Sequence, residues 1–182
     1  MKRALIGLAV AAVAVLSLAP PAASAAPPPV SRPLTGTVVT QDLPPEAPTG
    51  CPAGAVWRYT ASGTAYLSNL GRSQFTISHC SYLTGPTTGT FDHGTIVIIA
   101  ANGDQLYMAE SGTFYLYVDE SGGLISVPTV DWTITGGTGR FLHATGSGQL
   151  LARSSDLQSP PTTTSGTFSQ GEITYVASDR RS

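Results

Sequence analysis

Short runs of β-branched and aromatic residues recur along the chain, and each run ends at glycine, asparagine, serine or proline. Such runs bounded by turn-forming residues are typical of β-strands. No stretch of about ten or more residues carries apolar positions at the i, i+3, i+4 and i+7 spacing of an amphipathic helix. The pattern therefore predicts an all-β chain with eight strands, at residues 34–40, 56–67, 73–82, 89–100, 104–118, 127–135, 146–153 and 167–176.

The lengths of these strands favour a closed sheet. Several exceed the usual five or six residues, and an open antiparallel meander of long strands leaves two exposed edges, which closure removes. Glycines inside the strands mark the bends of a strongly curved sheet, at Gly63, Gly94, Gly112 and Gly148. We therefore predict an eight-stranded antiparallel β-barrel rather than a sandwich, of a size that side chains or one small ligand can fill.

The segment before the first strand has the three parts of a secretory signal. Lys2 and Arg3 precede an apolar run at 4–18, and small residues follow at 23–25. The apolar run is shorter than the roughly 20 residues of a spanning helix. We expect residues 1–25 to be a cleaved signal peptide, 26–33 to be an extended, poorly ordered Ala/Pro-rich leader, and 34–182 to form the barrel of a secreted protein without a stable membrane anchor.

Removal of the signal changes the charge of the chain. Loss of Lys2 and Arg3 moves the formal charge from −2 to −4 and leaves no lysine. Affinity for a phosphate backbone comes mainly from basic side chains, as does adhesion to anionic membranes. Nucleic acid is therefore excluded as a partner.

Two cysteines remain, Cys51 and Cys80. In an oxidising compartment such a pair is typical of a structural disulfide. The pair lacks the C-x-x-C spacing of a reactive dithiol, and the cysteines and three scattered histidines show no spacing of metal ligands. We expect a disulfide that joins the long loop at 41–55 to the strand that ends near Cys80, and we expect no metal and no cofactor.

Three glycine-containing segments resemble one family. They read Gly136-Gly137-Thr138-Gly139-Arg140-Phe141 followed by Ala144-Thr145-Gly146, Gly63-Thr64-Ala65 leading to Leu70-Gly71-Arg72, and Ala100-Ala101-Asn102-Gly103-Asp104. The chain from 56 to 175 resembles the allene oxide cyclase and dirigent β-barrel superfamily, and in particular its bacterial secreted relatives. Plant members are a fatty-epoxide cyclase and proteins that orient the radical coupling of phenols, and both use the barrel as a cavity without a cofactor.

The glycine-rich segment is expected to be structural. Gly136, Gly137 and Gly139 allow a tight turn with positive φ. Phe141 is expected to plug one end of the barrel, and Arg140 to bind loop carbonyls or a carboxylate there. A phosphate cradle needs a following helix and usually a lysine, and the sequence offers neither. Because no active-site residue of the plant proteins aligns outside this turn, the resemblance implies a fold and not a reaction.

The Asn102-Gly103 pair predicts a two-residue type I′ hairpin. Counting outward from that turn pairs Thr95 with Glu110 and places His93 on the same face. Since the other residues of this face are mostly apolar, we expect Glu110 and His93 to point into the barrel.

A polar cluster inside an apolar cavity follows from this alternation, with Tyr59, His79, His93 and Glu110 as candidates. A carboxylate beside a histidine could act as acid or base. In the alternative interpretation Glu110 lies at the rim or is turned to solvent by a bulge at Gly112. A register error of one residue would reverse the whole face.

Three functions follow, of which the first is favoured. One is non-enzymatic binding of an apolar small molecule or of an extracellular protein. The second is a cofactor-free isomerase or cyclase that works in the cavity through Glu110 and a histidine. The third is that of a purely structural or inhibitory surface protein. Tyr107, Tyr115 and Tyr117 lie on the outer face, where they would cover the wall, bind a partner or form a homo-oligomer contact. An open cavity with a paired Glu110 would favour the enzyme, and a filled interior would favour an interaction protein.

Overall fold

The structure of the chain, a computed structural model, describes residues 27–176. The signal peptide predicted at 1–25 lies outside these residues. Within them no helix is long and apolar enough to cross a membrane. The strands are β1 Pro29–Pro33, β2 Gly36–Asp42, β3 Trp57–Leu67, β4 Gly71–Leu83, β5 Thr88–Ile99, β6 Gln105–Val118, β7 Leu124–Gly137, β8 Thr145–Ser154 and β9 Thr163–Val176.

The sheet is a closed antiparallel barrel. Strands β2 to β9 pair in chain order, and β9 also pairs with β2, so that eight strands form a ring. These strands correspond to the eight predicted ones, with their ends moved by a few residues. The prediction of an eight-stranded antiparallel β-barrel is confirmed.

The predicted leader requires a correction. Pro29–Pro33 form β1, which pairs with the last residues of β9 and continues the line of β2. This segment is therefore extended as expected but is part of the sheet. Both prolines stand at the ends of a strand on the sheet edge, where the missing N–H group costs no ladder bond.

One end of the barrel is closed by the glycine-rich turn. Gly139–Phe141 form a 3-10 turn between β7 and β8, and Phe141 is fully buried. The guanidinium of Arg140 lies 4.6 Å from the centre of the Phe141 ring and donates a hydrogen bond of 3.2 Å to the carbonyl of Asn69. Arg140 thus ties the plug to the neighbouring turn.

The glycines of this turn are required for two different reasons. Gly136 and Gly139 have φ values of +131° and +54°. Gly137 does not have positive φ, in contrast to the prediction. Glycine is needed at this position because a Cβ would overlap the carbonyl oxygen of Gln105 on the paired strand.

The hairpin between β5 and β6 differs from the predicted one by one residue. Its loop has three residues: the amide of Ala100 donates to the carbonyl of Asp104, and Gly103 alone has positive φ, at +86°. Ile98 therefore pairs with Leu106, and Gly94 pairs with Glu110. After the two-residue loop, a three-residue loop with glycine in the left-handed region is the next most common hairpin connection. The Asn-Gly pair is compatible with either loop length.

The changed register alters which residues of β5 face inward and leaves the inward residues of β6 as predicted. Glu110 points inward as predicted, but its partner is Gly94 instead of Thr95. His93 sits in a β-bulge with φ +51° and points to solvent, with 62% of its side chain exposed. The prediction that His93 faces the cavity is wrong. Counting outward from the turn assumed a two-residue loop and a regular strand, whereas the loop has three residues and β5 has a bulge at His93.

The disulfide between Cys51 and Cys80 is present, with a Cα–Cα distance of 5.7 Å. It fastens the loop between β2 and β3 to β4, next to the open end of the barrel. The prediction of this pair is confirmed, and the bond is compatible with an extracellular location.

Candidate functional site

The end of the barrel opposite the 3-10 turn is open. A cavity of about 780 Å³ enters the interior there. Its walls are mostly apolar, with Trp57, Phe75, Ile77, Phe114 and Val130 among the lining residues. Further in, large buried side chains fill the barrel, including Trp132, Phe168, Ile96, Leu106 and Ile173. The interior thus has a cavity at one end and a packed core further in.

The mouth of the cavity is formed by two proline-containing loops. Pro44 and Pro45 follow β2, and Pro160 and Pro161 precede β9. Proline fixes its own backbone φ, so these loops have few alternative conformations. The disulfide at Cys51 restrains the first loop further.

A buried histidine and a buried glutamate meet at the wall of the cavity. Nδ1 of His79 lies 2.8 Å from Oε1 of Glu110. His79 is 9% exposed and Glu110 is 4% exposed. His79 lines the cavity, whereas Glu110 lies behind it. Gly94 makes room for the pair, because a Cβ there would overlap the glutamate carboxylate.

Two aromatic rings hold His79 from both sides. The ring of Tyr59 stacks at 4.8 Å and the ring of Phe91 at 4.3 Å, with interplanar angles of 21° and 17°. A carboxylate accepts hydrogen bonds, so the contact with Glu110 assigns the ring proton to Nδ1. Nε2 of His79 has no hydrogen-bond partner within residues 27–176 and is left as an acceptor on the cavity side.

A second carboxylate lies on the same wall. The hydroxyl of Tyr59 donates to Oδ1 of Asp42 at 2.8 Å, and the hydroxyl of Thr164 donates to Oδ2 at 2.9 Å. A weaker bond of 3.3 Å comes from Thr40. Burial raises the pKa of the Tyr59 phenol, and the charge of Asp42 raises it further. Tyr59 therefore remains a neutral donor to Asp42.

The raised pKa of Tyr59 predicts an effect at alkaline pH. The unfolded chain loses this proton near pH 10 and the folded chain does not, so the free energy of unfolding should fall as pH rises above about 10. Tyr59→Phe should lack this part of the fall, whereas Tyr115→Phe, which alters an exposed ring, should retain it. Urea unfolding at several pH values measures the difference. Equal slopes in wild type and Tyr59→Phe would contradict the assignment.

The structure brings together three of the four candidate residues. Tyr59, His79 and Glu110 form one contact chain, and His93 lies outside it, bonded to Asp92 at 2.7 Å. Asp42 was not among the candidates. Within the described part of the chain, no three histidine, cysteine, aspartate or glutamate side chains are placed to hold a metal ion.

No protein-family model, no curated protein and no solved structure matches this chain. The functional argument therefore rests on the cavity and its polar wall.

Proposed function

We propose that this is a secreted barrel of the allene oxide cyclase and dirigent type that binds an apolar small molecule in its open cavity. The observation that carries the proposal is the cavity itself, with a volume of about 780 Å³ and mostly apolar walls. Pockets for small molecules have volumes of roughly 300–1,000 Å³ and combine apolar walls with a few placed polar groups.

The shape of the site also supports binding. The rim is restrained by prolines and by the disulfide, so the cavity exists before the ligand arrives. A preformed site avoids the cost of ordering loops on binding. Transfer of apolar ligand surface from water to these walls contributes about 25 cal/mol per Å².

A neutral fluorescent probe tests this function. N-phenyl-1-naphthylamine should bind wild type with an increase in fluorescence. Ala152→Phe, which puts a ring into the cavity, should weaken binding by about tenfold or more, a loss of about 1.4 kcal/mol. Leu151→Phe is the matched control, since the neighbouring side chain is 49% exposed on the outer wall. Equal affinities of the two variants, or no binding by wild type, would overturn the proposal.

The pair of His79 and Glu110 favours a second function, a cofactor-free isomerase. Nε2 of His79 would accept a proton from an activated carbon of the ligand, and Glu110 would stabilise the imidazolium. The same proton would return to another carbon, so the product would be an isomer. No other reactant enters such a step.

Proton abstraction from 5-nitrobenzisoxazole, a small aromatic C–H acid, tests the second function. Wild type should accelerate its opening to the cyanophenolate, and His79→Ala should reduce kcat/KM by roughly 10²–10⁴-fold. His93→Ala is the control because this histidine is exposed and outside the cavity. If His79→Ala is as active as wild type, the pair is not a base and only the binding function stands.

A further inference from the structure

The cavity has acidic side chains in or behind its wall and no arginine or lysine in its lining. Asp42 lines the wall, and Glu110 lies behind His79, whereas no arginine or lysine is among the lining residues. Within residues 27–176, Arg32, Arg58, Arg72 and Arg153 are exposed, and Arg140 lies at the closed end. Because the Nδ1–H of a neutral His79 is donated to Glu110, His79 brings no positive charge, and Asp42 leaves the cavity wall negative.

On the part of the wall formed by Asp42 and His79, the polar atoms that remain free are acceptors. Tyr59 and Thr164 give their hydroxyl hydrogens to Asp42, and Thr40 shares its hydroxyl hydrogen between Asp42 and the carbonyl of Thr164. Each carboxylate oxygen can accept more than one hydrogen bond, and Oδ2 of Asp42 accepts only one within the described residues. Nε2 of His79, a side chain nine-tenths buried, is the second free acceptor.

Aromatic rings line the same cavity as these acceptors. Trp57, Tyr59 and Phe114 line the cavity, and the rings of Trp57 and Phe114 are 6.1 Å apart. The faces of aromatic rings attract cations, most strongly when water is excluded. An ammonium group has three donors and no acceptor, which complements both the charge and the hydrogen-bonding of this wall.

We propose that the ligand is an apolar amine that enters as its ammonium form, with the charged group at the wall of Asp42 and His79 and the hydrocarbon part among the apolar side chains. This inference rests on the proposed binding function and names its ligand class. An apolar carboxylate of the same size is excluded, since it would bring a second negative charge against Asp42 without a basic partner.

Three ligands with the same ten-carbon chain test the inference. Decylamine, decanol and decanoate compete with N-phenyl-1-naphthylamine for the secreted protein at neutral pH and at concentrations below micelle formation. The amine should bind about tenfold or more tightly than the alcohol, since a hydrogen bond to a charged group contributes more than a neutral one. The carboxylate should bind weakest of the three.

Charge variants test whether Asp42 causes the preference for the amine over the alcohol. Asp42→Asn should bring the ratio of amine to alcohol affinity close to one. Asp131→Asn removes the same charge from the exposed face of β7 and should keep the wild-type ratio. If wild type binds decanol or decanoate as tightly as decylamine, the inference is overturned and the binding function stands. If none of the three displaces the probe, the inference is overturned as well, and the binding function is then decided by the probe alone, through its affinity for wild type and for Ala152→Phe.

Discussion

Phe141→Ala is expected to lower the free energy of unfolding by about 3–5 kcal/mol, which is typical for truncation of a fully buried aromatic ring. The ring is inaccessible to solvent at the closed end, 5.6 Å from the centre of the Tyr175 ring and beneath the guanidinium of Arg140. Its loss leaves a cavity beside β6, β7 and β9, which pack against the 3-10 turn. Urea unfolding followed by far-ultraviolet circular dichroism measures the change.

Leu142→Ala is the matched control for this prediction. Leu142 follows Phe141 directly and is 60% exposed, so its truncation should change the free energy of unfolding by no more than about 0.5 kcal/mol. If the two variants unfold at the same urea concentration, Phe141 does not plug the barrel.

Removal of the disulfide is expected to be nearly as costly. Cys51 and Cys80 are separated by 29 residues, and closing a loop of this length restricts the unfolded chain by about 3.5 kcal/mol in the chain-entropy model. Cys51→Ser/Cys80→Ser should therefore be less stable than wild type by about this amount. The variant should also bind N-phenyl-1-naphthylamine more weakly, because the loop with Pro44 and Pro45 is no longer held at the mouth.

Wild-type protein treated with reductant provides the control for this variant. The reduced protein keeps both cysteine side chains, so a similar loss of stability in the two samples assigns the effect to the bond itself. Stability that is unchanged within about 0.5 kcal/mol in both samples would contradict the prediction.

The barrel was predictable because its signals are local. Alternation along a strand and the turn residues at its ends depend only on neighbouring positions, and every strand of the ring carries both. β1 was not predictable. Two of its five residues are prolines, which lack the backbone N–H donor of a strand, and it forms only where β9 extends beyond β2.

Three of the four residues of the candidate site were predictable for the same reason. Tyr59, His79 and Glu110 each share parity with apolar neighbours on their own strand, so their inward direction does not depend on any turn. The direction of His93 depended on one turn and on the absence of a bulge, and both assumptions were wrong. Asp42 contacts Tyr59 and Thr164 across three strands of the closed ring, which no local pattern indicates.

The open cavity at one end of the barrel could not be predicted from the sequence. Whether a barrel end is filled depends on which large side chains reach the same level of the ring. Phe141 fills the closed end, whereas Pro44 and Pro160 at the other end hold loops at the rim without filling the interior.

The location of a bound ligand tests the central claim most directly. Intermolecular nuclear Overhauser effects from bound decylamine should reach the methyl groups of Ile77, Val130 and Leu150, which line the cavity. The same spectra should show none to Val39 or Leu142, which are exposed on the outside. Contacts restricted to the outer residues, with the inner methyl groups unaffected, would contradict the account of this protein as a cavity-binding barrel.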